Sequence, residues 1–275
     1  MHDILIPVII VAVIGLIAGI ILTVLSKVLY VAVDEKQAAI RDVLPGANCG
    51  ACGFKGCDDY AKALAGENPP AANLCLPGAG GTAEAIAEVL GIKAEAVEKK
   101  VAVVRCGGSA EVTDTIMTYG GVQSCIAAKQ FYGGQWACSH GCLGLGDCVS
   151  VCEYGALSVV NGLAVVDRDL CMACGLCVKT CPNHVITIAP ASKQVYVGCN
   201  SPQAGAKVIK TCKEGCIGCR KCEKVCKFEA ITVENNLASI DFDKCKNCGL
   251  CAKECPTHAI KDLRIRHILS GVCGE

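Results

Sequence analysis

Three stretches of the chain space their cysteines as C-x2-C-x2-C-x3-C. Residues 171–182 read CMACGLCVKTCP, residues 245–256 read CKNCGLCAKECP, and residues 216–226 read CIGCRKCEKVC without the closing proline. This run wraps a [4Fe–4S] cluster: its first three cysteines hold one cluster and its fourth reaches the other cluster of a pair. Structural zinc more often uses two separated C-x2-C knuckles. Clusters of this type move single electrons, so the chemistry is redox rather than acid–base.

The runs sit in a repeat. CEYGALSVVNGLAVVDRDLC at 152–171 matches CKFEAITVENNLASIDFDKC at 226–245, at an offset of 74 residues. Inside each copy, two alternating apolar stretches meet at Asn161-Gly162 or Asn235-Asn236, the pattern of a hairpin. Each copy therefore reads as a compact two-cluster ferredoxin-like unit. The second copy assigns Cys216, Cys219, Cys222 and Cys255 to one cluster. Cys245, Cys248, Cys251 and Cys226 go to the other.

The first copy is irregular. Residues 138–152, CSHGCLGLGDCVSVC, are spaced C-x3-C-x5-C-x3-C, and Leu145 stands where the second copy has Cys219. A run that lost its second cysteine needs a replacement, and two upstream positions offer one, Cys138 ahead of His140. The expected set is Cys138, Cys142, Cys148 and Cys181, with a [3Fe–4S] cluster or an empty site as the alternative. Its partner set is Cys171, Cys174, Cys177 and Cys152.

Upstream, residues 49–75 hold Cys49, Cys52, Cys57 and Cys75 as C-x2-C-x4-C-x17-C, with glycines that let the backbone turn tightly. A helix is expected over 58–65. These four make a fifth [4Fe–4S] site, a zinc knuckle being the alternative. Of the remaining thiols, Cys106, Cys125, Cys199 and Cys212 could form a sixth cluster or be plain buried thiols. Cys273 has no evident partner.

Composition agrees. The chain has 25 cysteines in 275 residues and only 4 % aromatics, so bound metal must supply folding energy that a thin apolar core does not. A formal net charge of zero argues against a nucleic-acid partner held by a global basic field. There is no Walker motif, catalytic triad or flavin signature, and GAGGTA at 78–83 lacks the preceding strand of a dinucleotide fold.

Residues 4–33 are nearly all apolar or small. Ile4–Leu25 is long enough to span a bilayer and carries Gly15 and Gly19 as G-x-x-x-G. No basic residue precedes it, whereas Lys27, Lys36 and Arg41 follow, which puts the bulk of the chain in the cytoplasm of a single-pass plasma-membrane protein. That compartment is reducing, so the cysteines are metal ligands rather than disulfides. Residues 207–227 carry seven basic and two acidic side chains. Lys213, Arg220, Lys221, Lys224 and Lys227 read as a docking patch for an acidic electron carrier, or else as a solvated face.

With these motifs assembled, the chain resembles the B subunit of the Rnf electron-transport complex. The resemblance rests on the N-terminal apolar segment, NCGACGFKGCDDYAKALA, NLCLPGAGG, GCLGLGDCV and the ferredoxin runs, and it covers nearly the whole length. It implies an iron–sulfur relay in a membrane complex that couples oxidation of reduced ferredoxin and reduction of NAD to Na+ or H+ translocation. Flavins and the NAD site would lie in other membrane and peripheral subunits. The competing classes are a subunit of a different membrane-bound reductase and a non-catalytic redox sensor.

The expected architecture is α+β. A transmembrane helix at 1–33, in contact with lipid, leads to a small helical [4Fe–4S] module at 34–80 and a linking region at 81–135 containing an amphipathic helix. Ferredoxin-like unit 1 at 136–190, a connecting segment at 191–211 and ferredoxin-like unit 2 at 212–275 complete it.

Overall fold

The computed structural model describes residues 2–28, 34–66, 68–93 and 98–264, and within the first helix the side chains of residues 12–25. Cys273 lies outside them. Helix α1 runs His2–Val28. Its described side chains are exposed, Leu22 at 68 % and Leu16 at 66 % among them. Among the described residues no helix is long and apolar enough to cross a membrane. The anchor expected over Ile4–Leu25 falls partly outside the described side chains.

Helix α2 (Glu35–Val43) starts at Asp34, whose carboxylate accepts from the Lys36 amide, and α3 (Cys57–Ala65) follows the first cysteine loop. Helix α4 (Ala79–Leu90) ends at Gly91 in a left-handed C-cap. Ile40, Leu44, Tyr60, Ala61, Leu64, Cys75 and Ile86 form the core of this module. Ile86 belongs to α4, so the helix that the sequence leaves in the linking region packs as part of the first module. Burial pushes the Tyr60 hydroxyl up to about 12 while it donates to the Ala71 carbonyl at 2.7 Å.

Two α+β units of matching plan follow. In the first, β1 (Lys100–Val104) leads to α5 (Cys125–Gln130), α6 (Asp147–Ser150), the hairpin β2 (Leu157–Val160) and β3 (Leu163–Val166), α7 (Leu176–Thr180) and β4 (Ile186–Pro190). In the second, β5 (Val195–Val197) leads to α8 (Gly205–Thr211), α9 (Lys221–Val225), the hairpin β6 (Ile231–Glu234) and β7 (Leu237–Ile240), α10 (Leu250–Lys253) and β8 (Ile260–Asp262). The outer strands pair antiparallel, β1 with β4 and β5 with β8. Each unit thus opens with a strand upstream of the expected boundary, β1 from the linking region and β5 from the connecting segment. Period-2 patterns of three to five residues are too short to be assigned to a partner without knowing what they pair with.

Among the described residues every sheet has two strands. The hairpin turns adopt positive φ at both central residues, 49° and 76° at Asn161-Gly162 and 47° and 62° at Asn235-Asn236. That is the geometry that matches strand twist in a two-residue turn. The cysteine loop of each unit packs on this turn. Gly144 has φ +74°, and a Cβ there would run into the Gly162 carbonyl oxygen; at its counterpart Gly218 a Cβ would lie tightly against the Asn236 backbone, 3.0 Å from its Cα. Gly144→Ala is expected to cost about 2 kcal/mol, because it adds a backbone clash to left-handed strain. Gly155→Ala, at φ +62° with nothing within 4 Å, supplies the strain without the clash. Thermal unfolding of the cluster-loaded protein should rank Gly144→Ala clearly below Gly155→Ala.

Candidate iron–sulfur sites

The cysteine loops share a backbone design. Each run closes with a residue in the left-handed region two positions before its third cysteine: Gly146, Gly175, Arg220 and Gly249. A short helix starts there and sends the run's last cysteine, at or just beyond its end, towards the other half of the unit. Backbone amides point at sulfur: Ala102 to Cys171 at 3.3 Å, Ala164 to Cys142 at 3.5 Å, Ala230 to Cys226 at 3.4 Å and Asn247 to Cys245 at 3.5 Å. Such N–H···S contacts hold the ligand sulfurs and favour their charged form.

In the first module, the Cys75 thiol is raised by burial and then by the charges of Cys57, Cys52 and Cys49, which gather around it. Asn48 accepts from the Cys57 amide at 2.8 Å and Arg41 pairs with Asp58 at 2.7 Å, fixing the loop onto α2 and α3. In unit 1, Cys152, Cys171, Cys174 and Cys177 line one cavity. In unit 2, Cys216, Cys219, Cys222 and Cys255 line another. Cys245, Cys248 and Cys251 lie together, with the Cys251 thiol pushed up to about 12 by burial first and then by the Cys245 charge. Cys226 packs against the same core.

The two remaining groups differ from the expected sets. The cavity containing Cys142, Cys148 and Cys181 has Cys125 as its fourth cysteine, walled by Leu143, Val159, Val185 and Ile186. Cys138 is not there. It lines the neighbouring cavity with Cys106, Cys199 and Cys212. Cys125 and Cys138 therefore stand in each other's expected places. The reason is local: Cys125 opens α5, and Asp147, at the start of α6, accepts from both Ser124 Oγ (2.9 Å) and the Ile126 amide (3.0 Å). This pins Cys125 over the run that lost its second cysteine. His140 lines the Cys106 cavity, and burial holds its imidazole below the ordinary value.

The Cys106 cavity is built symmetrically. Cys106 and Cys199 each follow the opening strand of a unit, two residues beyond β1 and β5. Cys138 and Cys212 each stand four residues before the first cysteine of a run. The Cys142 amide donates to Cys106 at 3.3 Å, and the equivalent Cys216 amide donates to Cys199. Thr113 Oγ1 donates to Cys212 at 3.5 Å. The repeat offset held this signal, since 74 residues map Cys138 onto Cys212.

Neighbouring groups touch in series. The Lys179 ammonium donates to the Cys49 carbonyl at 3.3 Å, and the Tyr154 hydroxyl, raised mainly by burial, also feels Cys174, Cys49 and Cys75. Cys148, pushed up to about 12 by burial, feels Cys142, Cys125 and Cys181 from its own group and Cys177 from the next. Cys251 likewise feels Cys222. The series therefore runs from the first module through unit 1, across the Cys106 cavity and through unit 2.

The donor chemistry fits [4Fe–4S]: four cysteines per group, apolar walls and amides aimed at sulfur. Among the described residues no three His, Cys, Asp or Glu side chains converge to hold a single metal ion. A cubane takes one cysteine per iron and draws its ligands from farther apart. Burial pushes Cys106 to about 12 and Cys177 and Cys222 to about 11, so these thiols keep their protons at neutral pH until iron replaces them.

Comparisons with known proteins agree. A family model described as "Putative Fe-S cluster" matches residues 44–77, "4Fe-4S dicluster domain" matches 170–230 and "4Fe-4S binding domain" matches 238–261. The dicluster match joins the second half of unit 1 to the first half of unit 2, a frame that the 74-residue repeat permits but the strand pairing does not follow. The chain is 41 % identical to the B subunit of the Na(+)-translocating ferredoxin:NAD(+) oxidoreductase complex of Acetobacterium woodii, over 94 % of this chain and 78 % of that protein. It is also 41 % identical to the proton-translocating counterpart of Clostridium ljungdahlii, over 95 % and 93 %. The B subunit of the ion-translocating oxidoreductase complex of Methanosarcina acetivorans is 40 % identical over 90 % and 94 %. On this similarity, and on the cysteine groups that the fold assembles, the chain belongs to the B-subunit family of ion-translocating ferredoxin:NAD oxidoreductase complexes.

Proposed function

We propose that this chain is the iron–sulfur relay subunit of such a complex, receiving electrons from reduced ferredoxin and passing them towards NAD reduction coupled to Na+ or H+ translocation. The observation that carries the reading is the series of neighbouring cysteine groups that runs from the first module through both units. When bound, [4Fe–4S] clusters supply one-electron transfer. The sites are Cys49, Cys52, Cys57 and Cys75; Cys152, Cys171, Cys174 and Cys177; Cys125, Cys142, Cys148 and Cys181; Cys106, Cys138, Cys199 and Cys212; Cys216, Cys219, Cys222 and Cys255; and Cys226, Cys245, Cys248 and Cys251. The fourth of these joins the two ferredoxin-like units.

Uptake is placed at unit 2. Among the described cysteines only Cys219 and Cys248 are exposed. Lys213, Arg220, Lys221, Lys224 and Lys227 are exposed in the stretch of chain that contains the first of them. Arg220 also holds φ +59° where its three counterparts are glycine. A non-glycine residue in that region is strained by about 1–2 kcal/mol, and a cation useful at the docking face is a reason to keep it. The other end of the series is the module that follows α1 in the chain, and the apolar stretch of Ile4–Leu25 is the segment that would bind the chain to lipid and membrane subunits.

The test is the rate at which the full-length loaded protein oxidises a reduced acidic ferredoxin. Lys221→Glu with Lys224→Glu should slow uptake about tenfold at low salt and flatten its salt dependence. Unchanged rates would remove this face as the docking surface.

A further inference from the structure

The two units differ at one point beside their second cysteine loop. In unit 1, Gly175 has nothing within 4 Å of where a Cβ would stand. In unit 2, the equivalent Gly249 is covered: a Cβ there would lie 2.5 Å from Asp262 Oδ2 and 2.8 Å from an Arg264 terminal nitrogen. Arg264 donates through Nε to Asp262 Oδ1 at 2.9 Å and through Nη2 to Oδ2 at 2.6 Å. Its backbone amide adds a third bond to Oδ1 at 3.1 Å. The fork is rigid, since planar guanidinium and carboxylate match in two bonds. The Asp262 side chain is 3 % exposed and the Arg264 side chain 45 %, so the carboxylate lies against the protein while the guanidinium covering it reaches the surface. At the 74-residue offset, unit 1 has Ile188 and Pro190 in these places.

We propose that the Asp262–Arg264 pair is a fixed electrostatic control on the reduction potential of the Cys226, Cys245, Cys248 and Cys251 site. The pair lies over the backbone between Cys248 and Cys251. Besides its bonds to Asp262, the guanidinium feels the Cys248 and Cys245 charges, so it stands within their field. A positive charge beside a cluster favours the reduced, more negative state, and a negative charge disfavours it. Together the two charges largely offset each other; removal of either exposes the other. The pair therefore sets this site apart from its unit 1 counterpart, although the two cysteine runs share the same spacing. The inference rests on the reading that these four cysteines hold a cluster.

The test is a reductive titration of the full-length loaded protein by EPR, with iron content measured on every variant. The component altered in Cys248→Ser identifies the site. Arg264→Gln should shift that component to a more negative midpoint, and Asp262→Asn should shift it to a more positive one. Each shift should be at least threefold in the reduction equilibrium, about 28 mV for a one-electron couple. Arg264→Lys keeps the charge and should stay near the unaltered midpoint. Unmoved midpoints, shifts of the same sign in both variants, or loss of the cluster's iron from either would overturn the inference and leave a structural clamp, with the relay untouched. Absence of any reducible component that depends on Cys248 would overturn the cluster reading itself, and the inference with it.

Discussion

Cys138→Ser and Cys125→Ser should disturb different clusters. Cys125→Ser should alter the same EPR component as Cys148→Ser, because the two thiols line one cavity with Cys142 and Cys181. Cys138→Ser should alter the component that Cys212→Ser alters, because those two face each other with Cys106 and Cys199. The functional consequences separate as well. Loss of the Cys138 group removes the only cysteine group, among the described residues, that draws on both units. Electrons delivered to unit 2 should then reduce its own two sites and go no further. A stopped-flow experiment would show the fast phase preserved and the slow phase, reduction of unit 1 and the first module, lost. Iron should fall from about 24 per chain towards about 20 in either variant, so the count alone does not separate them and the grouping of spectra does. If Cys138→Ser instead changed the Cys148 component, the set read from spacing alone would stand.

Stripping the iron should unfold most of the molecule beyond α4. The units have little else to hold them. Every described sheet is two-stranded, and such a sheet is marginal on its own in water. Helices α6, α7, α9 and α10 are four or five residues long, below the length at which a helix persists without tertiary support. The unit 1 core is assembled partly from thiols, with Cys142, Cys148, Cys171 and Cys177 buried among Val101, Leu157, Val185 and Ile186. Unit 2 does the same with Cys199, Cys216, Cys222 and Cys251. Metal affinity here is folding free energy. Anaerobic chelation followed by hydrogen exchange should show amide protection lost across residues 100–262. Protection should persist in part around Ile40, Tyr60, Leu64 and Ile86, which form an apolar core of helices. Retained protection in β1–β4 after iron removal would contradict this.

Much of this was readable before any fold was known, and the parts that were not have physical reasons. The runs at 171–181, 216–226 and 245–255 declare their sites, because a cubane on a tight loop dictates local spacing. The hairpins at Asn161-Gly162 and Asn235-Asn236 follow from turn chemistry. Cys125 could not be assigned this way: it lies seventeen residues from Cys142, and what brings it in is the Asp147 carboxylate bonding back to Ser124 and Ile126. Strands β1 and β5 escaped for a similar reason. Their partners, β4 and β8, lie beyond an entire cysteine unit, and a short apolar stretch says nothing about a pairing that distant. Cys138 is the instructive case. Proximity in the chain pulled it towards Cys142, whereas the internal repeat already paired it with Cys212.

The group shared by the two units also imposes an order on manufacture. A ribosome adding about 5–20 residues per second releases Cys106 and Cys138 well before Cys199 and Cys212; the 74 residues between Cys138 and Cys212 alone take about 4–15 s. During that interval the first half of the nest is two thiols with no counterparts, while the other sites of unit 1 already have their full complement once Cys181 has emerged. The bridge is therefore the last joint to be closed between the halves. Oxidation of Cys106 or Cys138 during that window would give chains whose two units can each take up clusters and yet stay electrically disconnected.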